Sequence, residues 1–217
     1  MIELMNCSVQ FGDFIALKKV SIKIEKGEKV GIIGSSGAGK STLLREIYKE
    51  IKPAPSLIHQ HLALVPQLSV FHNVFIGQLD QHAAVQNLVN LVYPRSMYKE
   101  PILALLKQLG IGDKLMSPVS LLSGGEQQRV AIARALYRES RYLLGDEPVA
   151  SIDPYNSDIA LELMTTLNRT VVLTLHKVDL ALRHCTRIIG LSKGEVVLDA
   201  TSNDLKESDL LSLYNSC

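Results

Sequence analysis

The 217 residues, 47% hydrophobic and 21% charged, suffice for one large domain or one domain with a small insertion, and they exclude a disordered or collagen-like chain. Lys and Arg (23) nearly balance Asp and Glu (22), so a formal charge of +1 gives no bulk electrostatic reason to bind nucleic acid or anionic lipid. No apolar run reaches the roughly 18 to 20 residues of a membrane span, and Met1-Ile2-Glu3-Leu4 does not read as a signal peptide.

Ile2 to Phe11 reads as a strand of imperfect alternation, and Val20 to Ile24 as a second with Val20, Ile22 and Ile24 inward. After a Lys26-Gly27 turn, Lys29 to Ile33 is nearly all apolar, as a buried parallel strand should be, and it runs into a glycine-rich loop. Ser41 to Ile51 is the next predicted helix, with Leu43, Leu44, Ile47 and Ile51 on one face and Pro53 and Pro55 stopping it. Further apolar runs at Leu62 to Val65, Tyr142 to Leu144, Val171 to Leu175 and Arg187 to Leu191 alternate with helical patterns. That alternation predicts a parallel sheet covered on both faces. Between Pro53 and Pro94 the only charged residue is Asp80, yet four of the six histidines (His59, His61, His72, His82) fall there. Cys7, Cys185 and Cys217 are far apart and odd in number, and they read as free thiols.

The first chemical motif is Gly34-Ser35-Ser36-Gly37-Ala38-Gly39-Lys40-Ser41-Thr42, which matches G-x-x-x-x-G-K-[ST] between a predicted strand and a predicted helix. Glycines let backbone N–H groups curl around phosphate oxygens, and the helix N-terminus adds partial positive charge. Lys40 can bridge the β- and γ-phosphates, and the Ser41 hydroxyl can hold Mg2+. The second is Leu122-Ser123-Gly124-Gly125-Glu126-Gln127-Gln128-Arg129, which opens a helix predicted over Glu126 to Tyr137. It is a second anion cradle, although a helix N-cap would use the same serine. One nucleotide cannot readily use both cradles of one monomer, whereas two chains head to tail can. The third is Tyr142-Leu143-Leu144-Gly145-Asp146-Glu147, an apolar strand ending in two carboxylates, of which Asp146 suits a metal-bound water.

With these motifs in place, the chain resembles the ATP-binding cassette family over essentially its whole length. The resemblance implies a P-loop NTPase α/β core with a parallel sheet, an N-terminal antiparallel β subdomain and an inserted α-helical subdomain at about 68–135, all within one domain of residues 1–217. It implies ATP and Mg2+ as cofactors, with Ser41, Gln67 and Asp146 toward the metal. Glu147 is then the general base, Ser123 to Glu126 contact the ATP of the opposite subunit, and Asp153 of Ala150-Ser151-Ile152-Asp153 belongs to the loop crossing the dimer interface. His176 looks like the switch histidine at the γ-phosphate, Gln67 like the glutamine sensing Mg2+ and water, and Phe11 like the aromatic under adenine.

Smaller matches point to one branch. Gly37 to Arg45, Leu68-Ser69-Val70 with Asn73-Val74 and Gly77, Ala150 to Pro154 with Ser157, and His176-Lys177-Val178-Asp179 with Ala181, Cys185, Arg187 and Ile188 resemble the ATPase subunit of phosphonate-type importers. That branch has Asp two residues further on rather than directly after the histidine. The expected partners are a second copy or a paralogous ATPase, membrane-spanning permease subunits and, indirectly, a solute-binding protein, with no nucleic acid. The expected place is the cytoplasmic face of the cell membrane. Lys40 and Gln67 are 27 positions apart, shorter than in typical importer cassettes, so a trimmed antiparallel edge is expected. The charge-poor stretch, with Val70 and Val74, is expected at the groove that receives a permease helix, or at the packed base of the helical subdomain. A metal site from the four histidines has the spacing but no acidic or cysteine support. An exporter or lipoprotein-releasing ATPase is the alternative within transporters. A soluble repair or translation ATPase would bring long coiled coils or a second cassette.

Overall fold

The computed structural model describes residues 1–166 and 169–211. In chain order it forms β1 (Ile2–Phe11), β2 (Phe14–Ile24), β3 (Lys29–Ile33), α1 (Lys40–Lys49) and β4 (Ser56–Ile58). The short α2 (Val70–Phe75) follows, then α3 (Ala84–Val92), α4 (Ser96–Gln108) and α5 (Gly124–Tyr137). The remainder is β5 (Tyr142–Asp146), α6 (Pro154–Thr166), β6 (Thr170–Thr174), α7 (Val178–His184), β7 (Arg187–Ser192), β8 (Glu195–Thr201) and α8 (Glu207–Leu211). Cys217 lies outside the described residues. The chain divides into two compact units, one of Met1–Gln60, Ser140–Pro148 and Met164–Cys217, the other of His61–Glu139 and Val149–Leu163.

In the first unit β1 and β2 form an antiparallel hairpin pairing Ile2 with Ile24 and Leu4 with Ile22. A six-stranded sheet runs β4-β5-β6-β3-β7-β8, parallel except for the β7–β8 hairpin. Its central strands are apolar at successive positions because both faces are covered: Val30, Ile32, Ile33, Leu143, Leu144, Val172 and Leu173 are all fully buried. Leu43, Leu44 and Ile47 of α1 join one core with Val30, Ile32, Leu144, Val172 and Ile189 of the sheet and with Leu17, Val20, Ile22 and Ile24 of the hairpin. Each such side chain contributes about 1.5–3 kcal/mol by leaving water. That core fixes the N-terminus of α1 against the end of β3, where the phosphate-loop motif lies.

Two expectations about strands need correction. Leu62 to Val65 is not a strand, because Leu62 and Ala63 take φ of 48° and 49°, outside the extended region. The edge strand is instead Ser56–Ile58, three residues that pair in parallel with β5. The second strand begins earlier than its alternation suggested, at Phe14. Among the described residues the antiparallel sheet beside the core has two strands.

In the second unit, α2 packs against α4 and α5. Phe71 stacks on Phe75 at 5.8 Å between ring centroids, and Phe75 meets Tyr98 edge-on at 5.2 Å. Val70 and Val74 are fully buried there, so of their two expected places they take the packed base of this unit and do not line a docking surface. Buried Asn73 holds the loop before α2. Its Oδ1 accepts from the Val65 N–H at 2.8 Å, and its Nδ2 donates to the carbonyls of Val65, Leu68 and Ser69. Exposed apolar side chains of the unit lie elsewhere, among them Val85, Leu88 and Val92 of α3, Tyr93 and Leu121.

Candidate functional site

The chain leaves β3 through a loop whose shape only glycine permits. Gly34 and Gly39 have φ of 148° and 105°, and a Cβ on them would lie 2.2 Å from the Leu191 carbonyl oxygen and 2.5 Å from that of Ala16. The loop therefore packs tightly on its protein side while Ser36 and Gly37 face solvent. Lys40, at the first position of α1, is 6% exposed, and its Nζ donates to the Gly34 and Ser35 carbonyls at 2.9 and 3.0 Å. An ammonium has three N–H donors, so a third is left for a phosphate oxygen. Burial lowers the Lys40 pKa from its ordinary value, opposed by the charges of Glu147 and Asp146. Ser41, on the next position of α1, is exposed, and Thr42 is half-buried.

Asp146 ends β5 and Glu147 follows it at φ 51°, an uncommon conformation for a residue with a Cβ. The register of β5 and β6 sets Asp146 beside Thr174. The Thr174 hydroxyl donates to Asp146 Oδ1 at 2.7 Å and accepts from the Glu147 N–H at 2.8 Å. Two residues beyond Thr174, His176 Nε2 lies 2.5 Å from Glu147 Oε1. The first unit thus gathers Lys40, Asp146, Glu147 and His176 beside the loop, a cation, two carboxylates and an imidazole suited to holding phosphate and orienting a water. Phe11 ends β1 and is 52% exposed, opposite the equally exposed Phe14 across the hairpin turn.

The second unit carries Gln67, Ser123 to Glu126 and Asp153. Gln67 is exposed in the turn held by Asn73. Ser123 caps α5 in a reciprocal box: its Oγ accepts from the Glu126 N–H at 3.3 Å, and its own N–H donates to Glu126 Oε2 at 2.8 Å. The Ser123 N–H and hydroxyl, each donating to Glu126 Oε2 at 2.8 Å, hold the Glu126 carboxyl below its ordinary pKa. Gly124 has open space where a Cβ would be, whereas on Gly125 a Cβ would lie 2.8 Å from the Ser151 carbonyl oxygen. Gln128 Oε1 accepts from the Ser151 N–H at 2.7 Å, tying α5 to the segment that carries Asp153. Asp153 caps α6, accepting from the Asn156 N–H at 3.1 Å, with Pro154 at the first helical position.

Sequence reasoning missed Thr174 and Arg134, and it quoted Asn73 and Gln128 within motifs without their hydrogen-bonding roles. Arg134 donates to the Leu62 and Ala63 carbonyls and so accounts for the turn that replaces the expected strand. The available signal for Thr174 was one polar residue inside Val171 to Leu175. His72 binds Ser69 Oγ at 2.7 Å, and His82 stacks on Phe75. Among the described residues, no group of three or more His, Cys, Asp or Glu could hold a metal ion. Likewise no helix is long and apolar enough to cross a membrane.

The model of the ABC transporter family matches residues 17–150. The phosphonates import ATP-binding protein PhnC of Rhizobium meliloti (strain 1021) is 37% identical over 247 aligned positions, covering 100% of this chain and 87% of the relative. That of Pseudomonas putida (strain KT2440) is 38% identical, covering 98% of this chain and 89% of the relative. At least 30 positions of the first alignment have no residue in this chain. Among solved structures, the dimeric bacterial ABC transporter cassette MJ0796 superposes with a TM-score of 0.80 at 29% identity, over 93% of this chain and 99% of that one. Its post-hydrolysis dimer, bound to ADP and Pi, gives 0.75 at 27% identity.

Proposed function

The chain belongs to the ABC transporter family, and we propose that it hydrolyses ATP to energise import of a phosphonate or a related small oxyanion through permease subunits at the cytoplasmic face of the cell membrane. The observation that carries the cargo is full-length similarity to phosphonate-import ATPases. The run His176-Lys177-Val178-Asp179 supports it.

In this reading, the Gly34 to Thr42 loop cradles the phosphates through its N–H groups and Lys40 takes the γ-phosphate oxygen. Phe11 stacks on adenine, which every base permits through its π-face. Glu147 aligns and polarises the attacking water, and His176 holds the Glu147 carboxylate and the γ-phosphate in register. Ser123, Gly124, Gly125 and Glu126 of one protomer close on the ATP of the other, and Asp153 lies in the loop crossing between them. Ser41, Asp146 and Gln67 carry hard oxygen donors of the kind Mg2+ takes, so the Ser41 hydroxyl, an Asp146 carboxylate oxygen and the Gln67 amide oxygen would hold it. When bound, the cation neutralises charge on the phosphate oxygens. The exposed apolar side chains of α3 and Tyr93 supply a surface for the permease.

The test of cargo is growth on a phosphonate as the sole phosphorus source, in a strain with no second phosphonate system. Deletion of this gene should abolish growth and uptake. Normal growth would reject the cargo and leave the ATPase reading standing.

A further inference from the structure

Thr174 lies at the carboxyl end of β6, fully buried, and its hydroxyl touches both carboxylate residues of the site. A hydroxyl carries one proton and two lone pairs. Here the proton goes to Asp146 Oδ1, and a lone pair receives the Glu147 N–H. The resulting chain, amide to hydroxyl to carboxylate, polarises in one direction, so each bond strengthens the other. It has two consequences. Asp146 is held through Oδ1, and its carboxylate would be oriented for a cation by that bond. Glu147, leaving the strand in the left-handed region, has its N–H anchored, and that fixes the turn aiming its carboxylate at His176.

We propose that Thr174 is a positioning residue for ATP hydrolysis, setting Asp146 and Glu147 together through one hydroxyl. The proposal rests on the assignment of Glu147 and Asp146 above. It adds that the geometry of both depends on an oxygen at position 174, not merely on a β-branched side chain filling the strand.

Thr174→Val keeps the shape and removes the oxygen, and Thr174→Ser keeps the oxygen and removes the methyl. Purified wild type and both variants are compared for kcat and KM with Mg-ATP, and for ATP affinity by calorimetry with and without Mg2+. The valine variant should lose roughly 10- to 100-fold in kcat with KM within about threefold of wild type. Its metal-free ATP affinity should be unchanged, while the gain in affinity that Mg2+ adds should shrink. The serine variant should recover kcat to within about threefold of wild type. Should the valine variant not fold, Thr174→Ala takes its place in the same comparison. A valine or alanine variant turning over like wild type overturns the proposal, as does a serine variant as slow as valine. Wild type that binds ATP without hydrolysing it would instead sink the ATPase reading, a result distinguishable from either.

Discussion

Glu147 combines three features that a surface acid does not share: an unfavourable backbone conformation, a carboxylate within hydrogen-bond distance of His176, and an amide anchored on a buried hydroxyl. A non-glycine residue in the left-handed region costs about 1 kcal/mol, so its neighbours must hold it there. Replacing Glu147 by Gln keeps size and hydrogen bonding and removes the base. Turnover should fall about 100-fold or more, while ATP still binds through Lys40 and the loop. The variant should accumulate as an ATP-bound dimer on size exclusion. Near-normal turnover of the purified variant would remove Glu147 from its role. Cys185 shows the opposite use of burial, since desolvation pushes its thiol up to about 12 and keeps it inert at neutral pH.

At the scale of elements, α2 and α3 divide what the charge-poor stretch had seemed to offer as one surface. The α2 side chains Val70 and Val74 are core, so Val70→Asp buries a charge without a partner and should destabilise the second unit by about 3 kcal/mol or more. Its effect on transport would then reflect loss of folded protein. On α3, Val92 is 82% exposed, so Val92→Asp should leave the melting temperature and basal ATP hydrolysis within error of wild type. If α3 faces a permease, the same variant should reduce uptake and permease-stimulated hydrolysis. Full uptake by Val92→Asp would move the docking surface away from this helix. The helix α5 is bound more closely than its cap alone requires. Gly125 and Gln128 both meet the backbone of Ser151, so the Ser123 to Gln128 segment and the loop carrying Asp153 form one packed piece.

For the whole molecule, the two cradles belong to different compact units, and the sharing of a nucleotide between two chains is the proposal that uses both. Ser123→Arg should abolish ATP-driven dimerisation while the monomer still binds ATP, because Lys40 and its loop are untouched. Mixing it with Lys40→Ala should yield at most one competent site per dimer. Loss of monomer binding in Ser123→Arg would contradict shared sites. The sequence by itself determined the phosphate loop, the carboxylate strand and the start of α5, because each is local: glycines fix a turn, an apolar run fixes a buried strand, and Ser123 with Glu126 fixes a cap. It also determined the α/β class, through runs whose neighbours on both faces must be apolar. Only the tertiary structure decided the rest. Leu62 to Val65 is apolar enough for a strand, but Arg134, more than seventy residues away, captures its carbonyls and bends it. Val70 and Val74 could have faced a partner, and α4 and α5 bury them instead. Thr174 is one of two threonines in an otherwise apolar strand until β6 pairs in register with β5 and brings it to Asp146 and Glu147. Local propensity and spacing are written along the chain, whereas hydrogen-bond partners and buried faces are set by which distant segments the core brings together.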